Sequence, residues 1–317
     1  MSDVTQAQKV WQQRVSREEK SHKKFRDRAY NIEKIFRPPS DEDLFVPLLW
    51  SVVGVEHVGI YSNQPVPDVR PRNEKRNPTF RGVAKAIQRG LNYCVDHPSF
   101  DANMHRSIDD FLAMGLGMLR VKVDSIINKT TTSAPIFATQ QTPIGPQQVQ
   151  IGERPVTEES IGDQTVRWEY TPYRRFGWEP CNEWKHCNWI YFRHRMTQLQ
   201  CKKRFGRTIS ASKDEKDRND INSWKQKTFD IYEIWDKSKK EVVFFAKGEK
   251  DLIEVTPDPL GLIDFWPCPE AMMTNLPSDE LIPKADYDYI EAYDIELNRL
   301  QERRASLTEQ IKAAGAY

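Results

Sequence analysis

The chain has 317 residues, room for two modest domains or one large one at about 150 residues per domain. Its 47 Lys and Arg against 46 Asp and Glu leave a net charge of +1, which excludes a globally basic nucleic-acid coat and a globally acidic solvating chain. Nine tryptophans and 11% aromatic residues exclude a disordered composition, while 38% hydrophobic residues is low for a compact domain and suits a subunit with a large surface.

The N-terminus lacks the apolar core of a secretory leader. Trp11, Val15, Phe25, Ala29, Ile32 and Phe36 then fall at helical spacing, with Glu18 and His22 filling the gaps. This predicts one helix over 6–37, about 48 Å long if continuous, stopped by Pro38 and Pro39. Residues 44–61 are the most apolar run, but they contain Glu56 and His57 and are too short to span a bilayer, so they read as a core helix. A proline-rich extended stretch from Pro65 follows, confined by its prolines to a sheet edge. Helices are expected over 79–96, with Val83, Ile87, Leu91 and Cys94 on one face, and over 101–114. Residues 118–123 alternate as a strand.

Residues 125–165 are rich in Thr, Gln, Pro and Gly and suit either a long surface hairpin or a disordered insertion. Strands return at 166–170 and 189–193, then a short helix over 197–205 with Thr197 as N-cap and Gly206 as its stop. After a polar linker, 207–228, the strands 229–235 and 241–246 are joined by a five-residue hairpin turn. Both faces of that hairpin carry large apolar side chains (Phe229, Ile231, Ile234 and Trp235; Phe244 and Phe245), which predicts a neighbouring surface and marks them as inter-subunit candidates. A proline-studded connector runs to residue 283. The last helix, 285–313, places Ile290, Tyr293, Leu297, Leu300, Leu307 and Ile311 on a 3.5-residue seam, with Arg304 at the missing position. The sequence stops among helix formers, and a continuation past Tyr317 is expected.

Catalytic motifs are sparse. The phosphate-cradling GxxxxGK loop, GxGxxG, HExxH and GxSxG do not occur. Cys181, His186, Cys187, His194 and Cys201 include enough ligand types for zinc, but the spacing C-x4-H-C-x6-H-x6-C is not that of paired knuckles, so an aromatic sheet is the preferred reading and no metal or cofactor is assigned. Five scattered cysteines, in a chain too long to depend on disulfides, read as reduced thiols of a protein made in the cytoplasm. The acidic pairs Asp109 and Asp110, Asp286 and Asp288, and Glu291 and Asp294 read as solvated helix faces without a positioned histidine or lysine.

Three segments together resemble the portal proteins, or head–tail connectors, of short-tailed bacteriophages. They are LFVPLLWSVVGVEHVGIYSNQPVPDVRPR (44–72), the pairing of DFLAMGLGMLRVKVD (110–124) with YRRFGWEPCNEWKHCNWIYFRHRMTQLQCKKRFG (173–206), and IYEIWDKSKKEVVFFAKG (231–248) leading into 258–300. The resemblance implies an α+β subunit of a ring of about twelve copies at one capsid vertex. Duplex DNA would pass through the ring, and terminase, capsid, adaptor and tail proteins would dock on it. It implies a wing over 1–206, a β-rich clip and connector over 229–283, and a stem helix over 284–317, with the crown missing. Such a protein is no enzyme, has no membrane partner, and resides in the virion after assembly in the host cytoplasm. Arg299, Arg303 and Lys312 are the DNA-channel candidates; Leu297, Leu300 and Arg304 are inter-subunit candidates. The alternative is a zinc-stabilised nucleic-acid adaptor or nuclease using the basic, aromatic region 174–207.

The near-zero net charge is a cancellation. Residues 1–37 carry +5 and residues 174–207 carry +7, whereas residues 249–296 carry −11. An acidic stretch around an exit path suits a conduit through which DNA slides.

Overall fold

The computed structural model describes residues 5–36, 45–71, 79–142, 145–209 and 228–314. In chain order its helices are α1 (Gln6–Ser21), α2 (Lys23–Ile35), α3 (Leu48–Ile60), α4 (Thr79–Val95), α5 (Pro98–Met114), α6 (Gln198–Phe205) and α7 (Tyr287–Ala314). Its strands are β1 (Leu116–Gly117), β2 (Leu119–Thr142), β3 (Gly145–Tyr170), β4 (Phe176–Trp178), β5 (Trp189–Thr197), β6 (Thr228–Asp236), β7 (Glu241–Ala246), β8 (Glu254–Pro257) and β9 (Met272–Met273). Helix and sheet are mixed, and the α+β class holds. The chain divides into two units, one of residues 1–120 with 168–317 and one of residues 121–167. In the second, β2 and β3 pair as a long two-stranded hairpin, the first of the two alternatives for the polar insertion.

The first unit is organised by a five-stranded antiparallel sheet in the order β4-β5-β6-β7-β8. Strict alternation along β5, β6 and β7 divides its side chains between two faces. Trp189, Tyr191, Tyr232, Ile234, Val243 and Phe245 form one face, against which α1 lays Trp11 and Val15. Ile190, Phe192, Ile231, Trp235, Val242 and Phe244 form the other, closed by Phe265 of the proline-rich connector, whose ring meets Trp235 edge-on at 5.4 Å. The six hairpin residues expected to meet a neighbouring subunit, Phe229, Ile231, Ile234, Trp235, Phe244 and Phe245, are therefore all buried by their own chain. The correction has a simple cause: two remote segments supply the two missing layers.

The N-terminal helix is not continuous. It breaks at His22, whose backbone leaves the helical region (φ −89°, ψ 7°). The side chains that fill the gaps in the apolar stripe gather there. Glu18 accepts from His22 Nδ1 (2.7 Å), from Arg26 (2.5 Å) and from the Tyr191 hydroxyl (2.8 Å), and the His22 ring lies 4.5 Å from that of Trp178. A carboxylate buried with three donors is satisfied, whereas alone it would be strongly destabilising. Pro38 and Pro39 lie outside the described residues.

Two expected local signals are seen in full. Thr197 and Gln200 form a reciprocal capping box at the start of α6, and Gly206 ends it in the left-handed region (φ 69°). Gly115 ends α5 in the same way (φ 88°), and Gly117 follows at a close approach: a Cβ there would lie 2.3 Å from the Ser107 carbonyl oxygen. The proline-rich stretch after Tyr61 is extended, but over 62–71 it joins no sheet among the described residues.

The acidic pairs are not merely solvated. Asp109 meets His57 Nδ1 at 2.7 Å, and His57 Nε2 in turn meets His105 Nδ1 at 2.6 Å, joining α3 to α5. Asp110 is buried and accepts from the Tyr170 hydroxyl at 2.5 Å. Burial pushes its carboxyl up to about 7, with the charges of Glu33 and Asp109 adding to the effect and the Tyr170 hydrogen bond opposing it. The folded state thus holds a proton that the unfolded chain releases near pH 3.8. The resulting stabilisation is full below that pH and is lost as pH rises through about 7. Asp110→Asn still accepts from Tyr170 and cannot ionise. It is expected to be more stable than wild type at pH 8 by about 1–3 kcal/mol and nearly neutral at pH 4, read from urea midpoints at the two pH values. A constant difference across that range would contradict the assignment.

Candidate interaction surface

Among the described residues, the polar ties of α7 to the rest of its unit gather in its first turns. Arg28 of α2 donates to Asp288 (2.6 Å) and, as a fork, to both oxygens of Glu291 (2.9 Å each). The Tyr287 hydroxyl donates to buried Asp294 (2.7 Å), and Asn298 accepts from the backbone of Val46 (2.7 Å) while donating back to Asp294. The expected seam begins on this anchored part and continues beyond it. Tyr293 is 73% exposed and Ile311 71%, and Leu297, Leu300 and Leu307 are exposed as well. After Asn298, helical rise carries the remaining residues of α7 about 24 Å onward. A heptad seam of this kind offers a surface for packing against another helix.

Of the channel candidates, Arg299, Arg303 and Lys312 are all exposed, and Arg299 sits 3.8 Å from Glu296. At about 100° per residue, Arg299 and Arg303 are about 40° apart, but Lys312 lies about 180° from Arg303. One face of α7 therefore offers two of these cations, not three. Arg304 lies exposed on the seam beside Leu300 and Leu307. Residues 315–317 lie outside the described residues.

The five zinc-ligand candidates do not converge on one point. The Cys181 and Cys187 thiols lie together, with Cys187 also donating to the Trp189 carbonyl (3.1 Å) and Cys181 to the Glu183 carbonyl (3.3 Å), but His186 is exposed on a short turn, His194 Nε2 meets Glu233 at 2.7 Å, and Cys201 is buried in α6. Among the described residues no group of three or more His, Cys, Asp or Glu side chains is arranged to hold a metal ion.

The basic run 174–207 is largely engaged by its own chain. Arg174 pairs with Glu33, Lys185 with Glu183, Arg193 and Arg195 with Asp230, and Arg204 with Glu254, while Arg207 donates to the Leu252 carbonyl. Arg193, Arg195 and Arg207 are half-buried in these pairings, whereas Arg174, Arg175, Lys185, Lys202, Lys203 and Arg204 remain exposed.

Two further apolar surfaces were not anticipated as exposed. In α3, expected to be a core helix, Leu49 and Val53 are buried while Trp50, Val55, Val58 and Ile60 face outward. In α4, Phe80, Val83, Ile87 and Leu91 form an exposed stripe. The signal for both lay in the sequence: α3 is apolar on all sides, and α4 is amphipathic with an apolar face that no described element covers. Among the described residues no helix is long and apolar enough to cross a membrane.

No protein-family profile matches this chain. No curated protein sequence is significantly similar to it.

Proposed function

We propose that this chain is a ring-forming subunit of the portal type, a structural protein whose copies surround an opening through which duplex DNA passes. The uncovered seam of α7 carries the reading. A helix anchored at one end, with apolar side chains at 3.5-residue spacing along its outer part, supports side-by-side packing of equivalent helices from several copies. The resemblance of residues 44–72, 110–124, 173–206 and 231–300 to portal proteins supports the particular kind of ring.

In that arrangement the work is mechanical and electrostatic. The channel must hold the duplex weakly enough to let it slide. Arg299 and Arg303 supply few, salt-sensitive phosphate contacts, and the acidic stretch 249–296 keeps the duplex mobile by repulsion. The docking platform for the packaging terminase, and later for adaptor and tail proteins at a capsid vertex in the virion, is the exposed part of the connector that follows the buried hairpin, within 247–283.

The test is the mass of the full chain in solution with negative-stain imaging, where a ring with a central hole is expected. Leu300→Asp with Leu307→Asp should abolish that ring while leaving the circular dichroism and melting of the single chain unchanged, because both side chains are exposed. A wild-type protein that remains a monomer at all concentrations would sink the proposal.

A further inference from the structure

Between β4 and β5, residues 181–187 read CNEWKHC, two thiols with a short loop between them. A 3₁₀ turn folds this segment back on itself: His186 and Cys187 donate their amides to the Glu183 and Trp184 carbonyls (3.0 and 3.1 Å). The turn brings Cys187 to Cys181, and the two thiols lie together as hydrogen-bond partners. The base of the loop is closed as well. Glu179 donates its amide to the Trp189 carbonyl (3.0 Å), and its carboxylate accepts from the backbone and side chain of Asn188 (2.8 and 2.9 Å).

The two thiols differ in their surroundings. Cys181 is half-buried and within reach of a small solute, whereas Cys187 is buried. The hydrogen bond from Cys187 holds the Cys181 thiol below its ordinary value, against burial and the charge of Glu179. The same pairing, with burial, pushes the Cys187 thiol up. One sulfur is therefore accessible and readier to ionise, and its neighbour stays protonated beside it. That is the division of labour between an attacking and a resolving cysteine. Cys201 and Cys268 contrast with Cys181: both are buried, and burial pushes both thiols up, Cys268 to about 12.

We propose that Cys181 and Cys187 form a reversible two-cysteine oxidation site that takes a hydroperoxide as its oxidant. The Cys181 thiolate attacks a peroxide oxygen; an S–O bond forms, the O–O bond breaks, and the leaving oxygen takes a proton and departs as water or an alcohol. The Cys187 thiol then attacks the sulfur of the resulting sulfenic acid. The S–S bond forms, the S–O bond breaks, and hydroxide leaves with the thiol proton as water. The two sulfurs together lose two electrons, and one peroxide is reduced.

The disulfide fastens a junction. The Cys181 carbonyl accepts from the Leu281 amide (3.1 Å) and the Trp178 indole donates to the Leu281 carbonyl (3.0 Å), so this loop holds the connector that leads to α7. The Asn188 carbonyl accepts from the Lys237 amide at the β6–β7 turn (2.8 Å). A cross-link inside the loop stiffens these attachments once the protein leaves a reducing compartment. The inference is independent of the ring reading.

The full chain treated with hydrogen peroxide at neutral pH is expected to lose about 2 Da, to show residues 181 and 187 linked in a peptide map, and to recover with dithiothreitol. Cys94→Ser, which removes another half-buried thiol, should behave as wild type does. Cys187→Ala should trap the Cys181 sulfenic acid as a dimedone adduct, and Cys181→Ala should give no adduct at Cys187. In the oxidised wild type the Leu281 amide should exchange its hydrogen at least about threefold more slowly. Peroxide-treated wild type that keeps its mass, or that gains oxygen at Cys181 without linking to Cys187, would overturn the site, a result that needs no variant to fold. A disulfide that leaves exchange at Leu281 unchanged would overturn its role in fastening the connector.

Discussion

Replacing Gly177 by alanine is expected to destabilise the protein by about 3 kcal/mol or more, lowering its urea midpoint accordingly. Gly177 sits opposite Tyr191 in the β4–β5 pair, and a Cβ there would lie 2.3 Å from two ring carbons and 2.6 Å from the phenolic oxygen. The tyrosine has nowhere to go. Its hydroxyl donates to Glu18 (2.8 Å) and accepts from Arg26 (3.0 Å), and its ring is flanked by Trp189 and Tyr232. Any shift of the ring opens the buried cluster that pins the N-terminal helices to the sheet. Gly82, where an added methyl would meet nothing within 4 Å, is the control: Gly82→Ala in exposed α4 should stabilise by about 0.5–1 kcal/mol. A Gly177→Ala protein that melts with the wild type would show that the ring does move.

Glu233→Ala is expected to be of similar size, about 3–5 kcal/mol, because it strands a buried cation. Both guanidinium nitrogens of Arg120 reach Glu233 (2.9 and 2.5 Å), and His194 and the Trp235 indole complete its partners (2.7 and 2.8 Å). Burial by itself would push this carboxyl up. The His194 hydrogen bond and the Arg120 charge overcome it and hold the group down at about 2. The folded value is depressed below the ordinary 4.5, so the stabilisation is present above that pH and is lost as pH falls toward about 2. Wild-type stability should therefore fall by about 3 kcal/mol across that acid window from this group alone, and Glu233→Gln should flatten the profile there. An acid profile equally steep in Glu233→Gln would refute the assignment. Asp110 acts in the opposite sense and at higher pH, so the two variants separate cleanly in one pH series.

The limits of legibility follow from the same residues. The stripe of the N-terminal helix could be read directly, down to the polar Glu18 and His22 that occupy its gaps. Nothing local announced that Glu18 meets Tyr191 across the sheet or that the helix is interrupted at His22. Asp110 could not be told from a solvated neighbour, because its partner Tyr170 is 60 positions away, whereas Asp294 meets Tyr287 only seven residues back on the same helix. His57 and Asp109 are 52 positions apart, a separation over which spacing carries no signal. Leu262 and Ile263 lie in a loop without periodicity, so nothing in the residue order announced that Ile263 stands wholly exposed.

Features that depend on near neighbours were already written in the order of the residues. These are the capping box and glycine stop of α6, the hairpin joining β6 to β7, the alternation of its strands, the heptad spacing of α7 and the segregation of charge along the chain. Which apolar faces are covered emerged only once the chain was folded. The hairpin looked open on both sides, yet α1 and the Phe265 connector close it; α3 read as a core helix and α4 as an amphipathic one, yet among the described residues faces of both stay uncovered. The reason is physical. Hydrophobic burial is non-directional and acts between segments far apart in the chain, so a local pattern specifies that a face needs cover but not which surface covers it.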